Sequence, residues 1–171
     1  MCRYSRAACR FPALKIISGG QTGADRAALD AALSSGEPVG GWCPRGRMAE
    51  DGAIDDRYPL TETSRRDYTQ RTRFNVRDSD ATLIVARRPL TGGTALTERL
   101  ALASGKPCLV VHPDETPDAI AVCRSWMERH GVQTLNVAGP RHSTNASAYS
   151  DTRRIMDALL TFYSSSCSSR R

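Results

Sequence analysis

The chain has 171 residues, of which 40% are hydrophobic and 25% are charged. This length and composition are typical of one globular domain with a complete hydrophobic core. No apolar run approaches the roughly 20 residues that a membrane-spanning helix needs, so neither an integral membrane protein nor a membrane partner is expected.

The formal net charge of +6 is unevenly distributed along the chain. Five arginines lie in the two terminal segments: Arg3, Arg6, Arg10, Arg170 and Arg171. The body between these segments is therefore close to neutral, at about +1. Because nucleic-acid-binding faces carry a clustered basic patch, no nucleic-acid partner is expected.

Composition also predicts where the ordered domain begins and ends. Residues 1–13 are basic and lack the apolar segment of a secretory signal, and residues 164–171 are rich in serine and arginine. Both segments are expected to be disordered extensions of a single domain at residues 14–163. Six cysteines, none of them in CxxC spacing, favour reduced thiols in a cytoplasmic protein over a zinc site.

Short apolar strands alternate with helices along the chain. Strands are predicted at residues 14–17, 39–43, 81–86, 108–112 and 134–138, and helices at residues 24–33, 66–77, 95–103, 117–130 and 148–163. This alternation predicts an α/β domain with an open parallel sheet of about five strands and helices on both faces.

Two of the strands are followed by a glycine-rich turn that leads into a helix. The first glycine turn spans residues 19–23, and the second spans residues 92–94. Glycines leave backbone N–H groups uncovered, and the start of a helix adds unpaired donors and a partial positive charge. Such turns favour an anion, most often a phosphate. Thr22 is expected to cap the first helix through its hydroxyl group.

Ligands of open parallel sheets bind beyond the carboxyl ends of the strands. Both glycine turns, the exit loop at residues 139–143 and a long loop at residues 44–59 are expected at that edge. The long loop carries Arg45 and Arg47 next to Trp42, which suits an anionic ligand with a ring. We therefore expect these loops to form one binding site.

Several common nucleotide-binding and catalytic patterns are missing from the sequence. The first glycine turn is not GxGxxG, and Trp42-Cys43-Pro44 stands where an NAD-binding domain places an acidic residue. GxxxxGK[ST] is also absent, which excludes a Walker-type NTPase. No Ser/His/Asp or Cys/His set is evident. Asp25 and Glu98 are the acidic residues nearest the two glycine turns.

Seven motifs carry a resemblance to a known family. They lie at residues 19–25, 41–47, 49–52, 58–63, 75–80, 92–97 and 136–141. In this order, over about residues 14–160, they resemble the molybdenum cofactor carrier protein family. The resemblance implies a Rossmann-like domain, related to the lysine-decarboxylase-like (LOG) proteins, that commonly forms a homotetramer.

The resemblance further implies binding and protection of the molybdenum cofactor rather than turnover. This cofactor, molybdopterin with bound molybdenum, is a small anionic pyranopterin phosphate, and molybdoenzymes that receive it are the implied partners. No residue is assigned as a ligand of the metal. The binding residues expected on this basis, with arginines chosen by their loop positions, are Gly19, Gly20, Gln21, Thr22, Gly23, Arg26, Arg45, Gly92, Gly93, Thr94 and Arg141.

An enzymatic alternative comes from the LOG proteins, which carry PGGxGTxxE and release the base from a nucleoside monophosphate. The corresponding stretch begins at Thr91, and Glu98, one position before the place of the motif's glutamate, is the alternative catalytic residue. Thr91 replaces the leading proline, and Ala95-Leu96 replaces the Gly-Thr pair, which should weaken phosphate binding there. A LOG-like phosphoribohydrolase and a nucleotide-binding sensor are therefore kept as alternatives.

Overall fold

The computed structural model of the chain describes residues 13–168, with side chains up to residue 163. The strands are β1 Lys15–Ile17, β2 Val39–Gly40, β3 Trp42–Cys43, β4 Met48–Ala49, β5 Gly52–Ala53, β6 Thr61–Glu62, β7 Ala81–Val85, β8 Cys108–Val111 and β9 Thr134–Ala138. The helices are α1 Ala24–Ser35, α2 Tyr68–Arg77, α3 Gly92–Ala103, α4 Ala119–His130 and α5 Ala148–Ser168.

Five strands form the central sheet in the order β2-β1-β9-β7-β8, and every neighbouring pair is parallel. This arrangement confirms the predicted α/β domain. The strand that comes last in the sequence, β9, lies in the middle of the sheet. If β9 is counted first, the order becomes 3-2-1-4-5, that of the doubly wound Rossmann sheet. The order therefore reverses direction between β9 and β7, where such sheets bind ligands.

The two faces of the sheet differ in polarity. On one face, Leu83 and Leu135 belong to the main hydrophobic core, which includes buried side chains of α1, α4 and α5. On the other face, Thr82 and Asn136 are buried, and Asn136 Nδ2 donates a hydrogen bond to Thr82 Oγ1 at 3.2 Å. Helices α2 and α3 contact each other on this polar side. The buried polar side chains of Thr82 and Asn136 therefore lie on this face of the sheet, below the edge at which the glycine turns are found.

The predicted strand at residues 39–43 is two strands. Residues 39–40 pair with β1 in the central sheet, whereas residues 42–43 pair with β6. Gly41 separates them with φ +125°, a conformation that other residues rarely adopt. The predicted long loop contains a short antiparallel hairpin, β4–β5, and it covers a second core around the buried Ile54 and Tyr58.

Two helices differ from the predicted bounds by three residues or more. Helix α3 begins at Gly92 rather than at Ala95, so the second glycine turn is the first turn of the helix itself. Helix α5 continues to Ser168, past its predicted end at Tyr163. Residues 1–12 and 169–171 lie outside the described residues. Between them, none of the helices combines the length and apolarity that crossing a membrane requires.

Gly41→Ala is expected to lower the free energy of unfolding by about 2–4 kcal/mol. The added Cβ would lie 2.3 Å from the Ser18 carbonyl oxygen, in a φ region unfavourable to alanine. Gly105→Ala is the matched control, because Gly105 has φ +67° but no atom within 4 Å of an added Cβ. We expect the control to lose only about 1 kcal/mol. Urea unfolding measures both, and equal losses would contradict the steric argument.

Candidate ligand-binding site

A cleft of about 280 Å³ lies at the carboxyl edge of the central sheet. Its walls come from the first glycine turn, from α2, from the start of α3 and from the exit loop of β9. The two glycine turns and the exit loop therefore meet at one edge, as the sequence predicts. The long loop at residues 44–59 contributes no residue to the walls of this cleft.

The second glycine turn is open toward the cleft. A Cβ added at Gly92 or Gly93 would have no atom within 4 Å. Thr91, the residue before the helix, makes no side-chain capping hydrogen bond. The Thr94 and Ala95 amides donate to the Thr91 carbonyl, whereas those of Gly92 and Gly93 have no partner among the described residues. The start of α3 thus offers two N–H donors and the positive end of a helix dipole.

The first glycine turn is closed by packing from distant parts of the chain. An added Cβ at Gly19 would lie 1.6 Å from Nη1 of Arg71. At Gly20 it would lie 2.6 Å from Leu60, and at Gly23 it would lie 2.4 Å from the Pro140 carbonyl oxygen. These glycines therefore permit close approach of the protein to itself. The two turns therefore differ on the side where a side chain would lie, which is filled by the protein at the first turn and open at the second.

Three amides in or just after the first glycine turn are paired within the protein, whereas those of Gly19, Gly20 and Gly23 have no partner among the described residues. The Gln21 amide donates to Asp25, the Thr22 amide donates to the Gln21 side chain, and the Ala24 amide donates to the Pro140 carbonyl. The expected cap by Thr22 is wrong, because Gly23 occupies the N-cap position and makes no side-chain cap. The Thr22 hydroxyl donates instead to the Glu50 carboxylate.

An ion pair between Asp25 and Arg71 joins α1 to α2 at the wall of the cleft. Nη1 of Arg71 lies 2.7 Å from Oδ2 of Asp25, and the two side chains are 14% and 5% exposed. Burial raises the pKa of Asp25, and the charge of Arg71 opposes that rise. The buried Nε of Arg71 has no hydrogen-bond partner among the described residues. A buried ion pair contributes little net stability on average, because removing both charges from water offsets their attraction.

Neither Arg71 nor Tyr68 was predicted from the sequence as a residue of the site. Both line the cleft from α2, where Tyr68 is 39% exposed. The available signal was helical spacing, because positions 68, 71 and 72 share one face of a helix. The sequence alone does not show that this face turns toward the glycine turns rather than toward solvent.

Glu50 connects the β4–β5 hairpin to the exit loop of β9. Its carboxylate accepts hydrogen bonds from the Thr22 hydroxyl and from the hydroxyl and amide of Ser143. Nε of Arg141 lies 3.6 Å from the same carboxylate. The hydrogen bonds from Ser143 and Thr22 lower the pKa of Glu50 to about 2. These contacts hold the exit loop of β9 against the hairpin, and Arg141 of that loop lines the cleft, as predicted from the sequence.

The remaining expected residues do not all reach the cleft. Arg26 pairs with Asp51 at 2.9 Å and, with Thr22 and Gly23, lines a separate open groove of about 670 Å³. Arg45 is exposed and lines neither cavity, because its turn is folded against residue 65 through a backbone hydrogen bond. Gln21 and the start of α3 at residues 92–94 line the cleft.

Glu98, the alternative catalytic residue, does not line the cleft. Glu98 lies near Cys108 instead. Burial and the charge of Glu98 together raise the pKa of the Cys108 thiol to about 11. Within residues 13–163, no group of three or more His, Cys, Asp or Glu side chains is placed to hold a metal ion.

Comparisons with known proteins found one matching family and one similar solved structure. The profile of the circularly permutated YpsA SLOG family matches residues 16–160. A solved structure named "Putative molybdenum carrier protein", from Syntrophus aciditrophicus SB, is 47% identical, with a TM-score of 0.85. That match covers 87% of this chain and 96% of the other. No curated protein matches the sequence significantly.

Glu50→Gln is expected to destabilise the protein mainly at neutral pH. With a pKa of about 2 against an ordinary value of 4.5, the carboxylate stabilises the fold fully above about pH 4.5. That contribution is lost as the pH falls toward 2. Urea unfolding should therefore show a larger deficit for the variant at pH 7 than at pH 3. The exposed Glu128→Gln serves as the control, and a deficit independent of pH would contradict this account.

Proposed function

Because this chain belongs to the circularly permutated YpsA SLOG family, we propose that it binds and carries a small anionic ligand in the cleft between α3 and the β9 exit loop. The sheet order agrees with the permutation, since the classic first strand is the last strand here. The cleft lies where the order reverses.

One observation carries the proposal: the open start of α3. The Gly92 and Gly93 amides have no partner in the described part of the chain, and a Cβ added at either residue would meet no atom within 4 Å. Hydrogen bonds from such donors to a charged oxygen contribute about 1.5–3 kcal/mol each, and the helix dipole adds to them. Arg141 lies at the same cleft and supplies a cation beside these amides.

We propose the molybdenum cofactor, a pyranopterin phosphate, as the ligand. The printed name of the 47% identical relative supports this choice. A volume of about 280 Å³ suits one small molecule, since ligand pockets of proteins start at roughly 300 Å³. Tyr68 offers an exposed aromatic ring to a flat ring system, opposite a phosphate at α3.

Carriage is supported over turnover by the position of Glu98. A LOG-like hydrolysis would need this carboxylate at the bound nucleotide, yet it does not line the cleft. A homotetramer and transfer of the cofactor to molybdoenzymes remain predictions of the family resemblance, and a cytoplasmic location remains a prediction from the cysteine pattern. A nucleotide remains the competing ligand, since it also combines a phosphate with a flat ring.

Arg141→Ala is expected to weaken ligand binding about tenfold, the loss of one charge-assisted hydrogen bond. Arg45→Ala is the matched control, because Arg45 is exposed and lies outside the cleft. Isothermal titration with the isolated molybdenum cofactor, with GMP and with AMP measures both variants. The proposed site would be contradicted if Arg45→Ala weakened binding as much as Arg141→Ala, or if Arg141→Ala left binding unchanged.

Turnover gives an independent test of the carrier proposal. The wild-type protein is incubated with nucleoside monophosphates, and free base is measured by chromatography. We expect no release, together with a rise in melting temperature that grows with ligand concentration. Rapid release of the base, abolished in Glu98→Gln, would overturn the carrier proposal in favour of the hydrolase.

A further inference from the structure

The guanidinium of Arg71 occupies the space above Gly19. The three atoms nearest to a Cβ added at Gly19 all belong to the Arg71 side chain, at 1.6, 2.5 and 2.7 Å. The φ of Gly19 is not in the left-handed region, so its glycine identity is explained by this contact rather than by backbone conformation. The first glycine turn is thus a seat for an arginine side chain.

Arg71 is incompletely satisfied in this seat. Nη1 of Arg71 donates to Asp25 at 2.7 Å, whereas the buried Nε donates to no group in the described part of the chain. A second cavity of only about 10 Å³ adjoins the guanidinium and Gly19. Since buried donors in native proteins are nearly always paired, this unpaired Nε calls for a physical explanation.

An anion in the cleft would offer Arg71 a better partner. Arg71 lines the cleft together with Gly92, Gly93 and Arg141, so a short movement of its side chain brings it to a ligand there. A phosphate can accept from Nε and a terminal nitrogen of arginine at once, in bidentate geometry. Burial raises the pKa of Asp25, so this carboxylate can take up a proton when Arg71 leaves.

We propose that Arg71 is an anion-binding residue of the cleft, stored over Gly19 by Asp25 and released to pair with a phosphate of the ligand. The proposal rests on the proposed function, because it needs an anion at α3. Asp25 and Gly19 then set the affinity without touching the ligand. The ion pair with Asp25 keeps the Arg71 guanidinium away from the ligand, and Gly19 leaves the space that this guanidinium occupies.

Variants that release Arg71 and variants that remove it should have opposite effects. Gly19→Ala fills the seat, and its only close contacts are with a flexible side chain that can move away. Asp25→Asn removes the charge that holds Arg71 while keeping a side-chain acceptor for the Gln21 amide. Both variants should bind inorganic phosphate about fivefold more tightly, because the competent conformation is populated in advance.

Arg71→Gln should bind phosphate about tenfold more weakly, since the guanidinium is lost. Gly40→Ala is the control for the glycine substitution, because an added Cβ there meets the end of the Lys15 side chain at 3.2 Å, away from the cleft. Titration calorimetry with phosphate measures affinity, and thermal unfolding confirms that each variant is folded.

The outcomes separate this inference from the proposed function. If wild type binds neither phosphate nor the cofactor, the proposed function fails. If wild type binds and Arg71→Gln binds equally well, Arg71 has no role in anion binding. If the releasing variants, Gly19→Ala and Asp25→Asn, are both weakened like Arg71→Gln, the arginine is needed in its seat. Either of the last two results overturns the inference about Arg71 and leaves the proposed function standing.

Discussion

The hydrogen bonding of β9 between β1 and β7 is the constraint on which the rest of the structure depends. Because the last strand of the chain lies in the middle, its exit loop emerges beside both glycine turns. The same placement sets the reversal of strand order, which in doubly wound sheets opens a crevice for ligands. A chain whose last strand lay at an edge would separate Arg141 from α3.

The two glycine turns are similar in sequence but have different roles in the structure. At Gly19 and Gly23 the absence of a Cβ lets Arg71 and the exit loop approach closely. At Gly92 and Gly93 the same absence leaves the start of a helix uncovered. The closed turn holds the wall of the cleft in place, and the open turn supplies the donors. The open start of α3 is therefore the anion site that we propose.

Charge in the cleft is balanced by carboxylates of the protein. Arg71 pairs with the buried Asp25, and Arg141 pairs with Glu50 at the longer distance of 3.6 Å. An incoming anion competes with these carboxylates for both cations. The more exposed pair with Glu50 gives way more easily, since solvent screens it. The amides of α3, which have no competing carboxylate, are the natural first contact.

The sequence by itself determined the order and type of the main elements, because apolar periodicity and glycine position are local signals. It also identified Gly92, Gly93 and Arg141 at one edge. Only the tertiary structure decided that Arg45 stays outside the cleft and that Arg71 closes the first turn. That choice depends on a contact between residues 19 and 71. Such a contact follows from how α2 packs against α3 and β3, which no local pattern encodes.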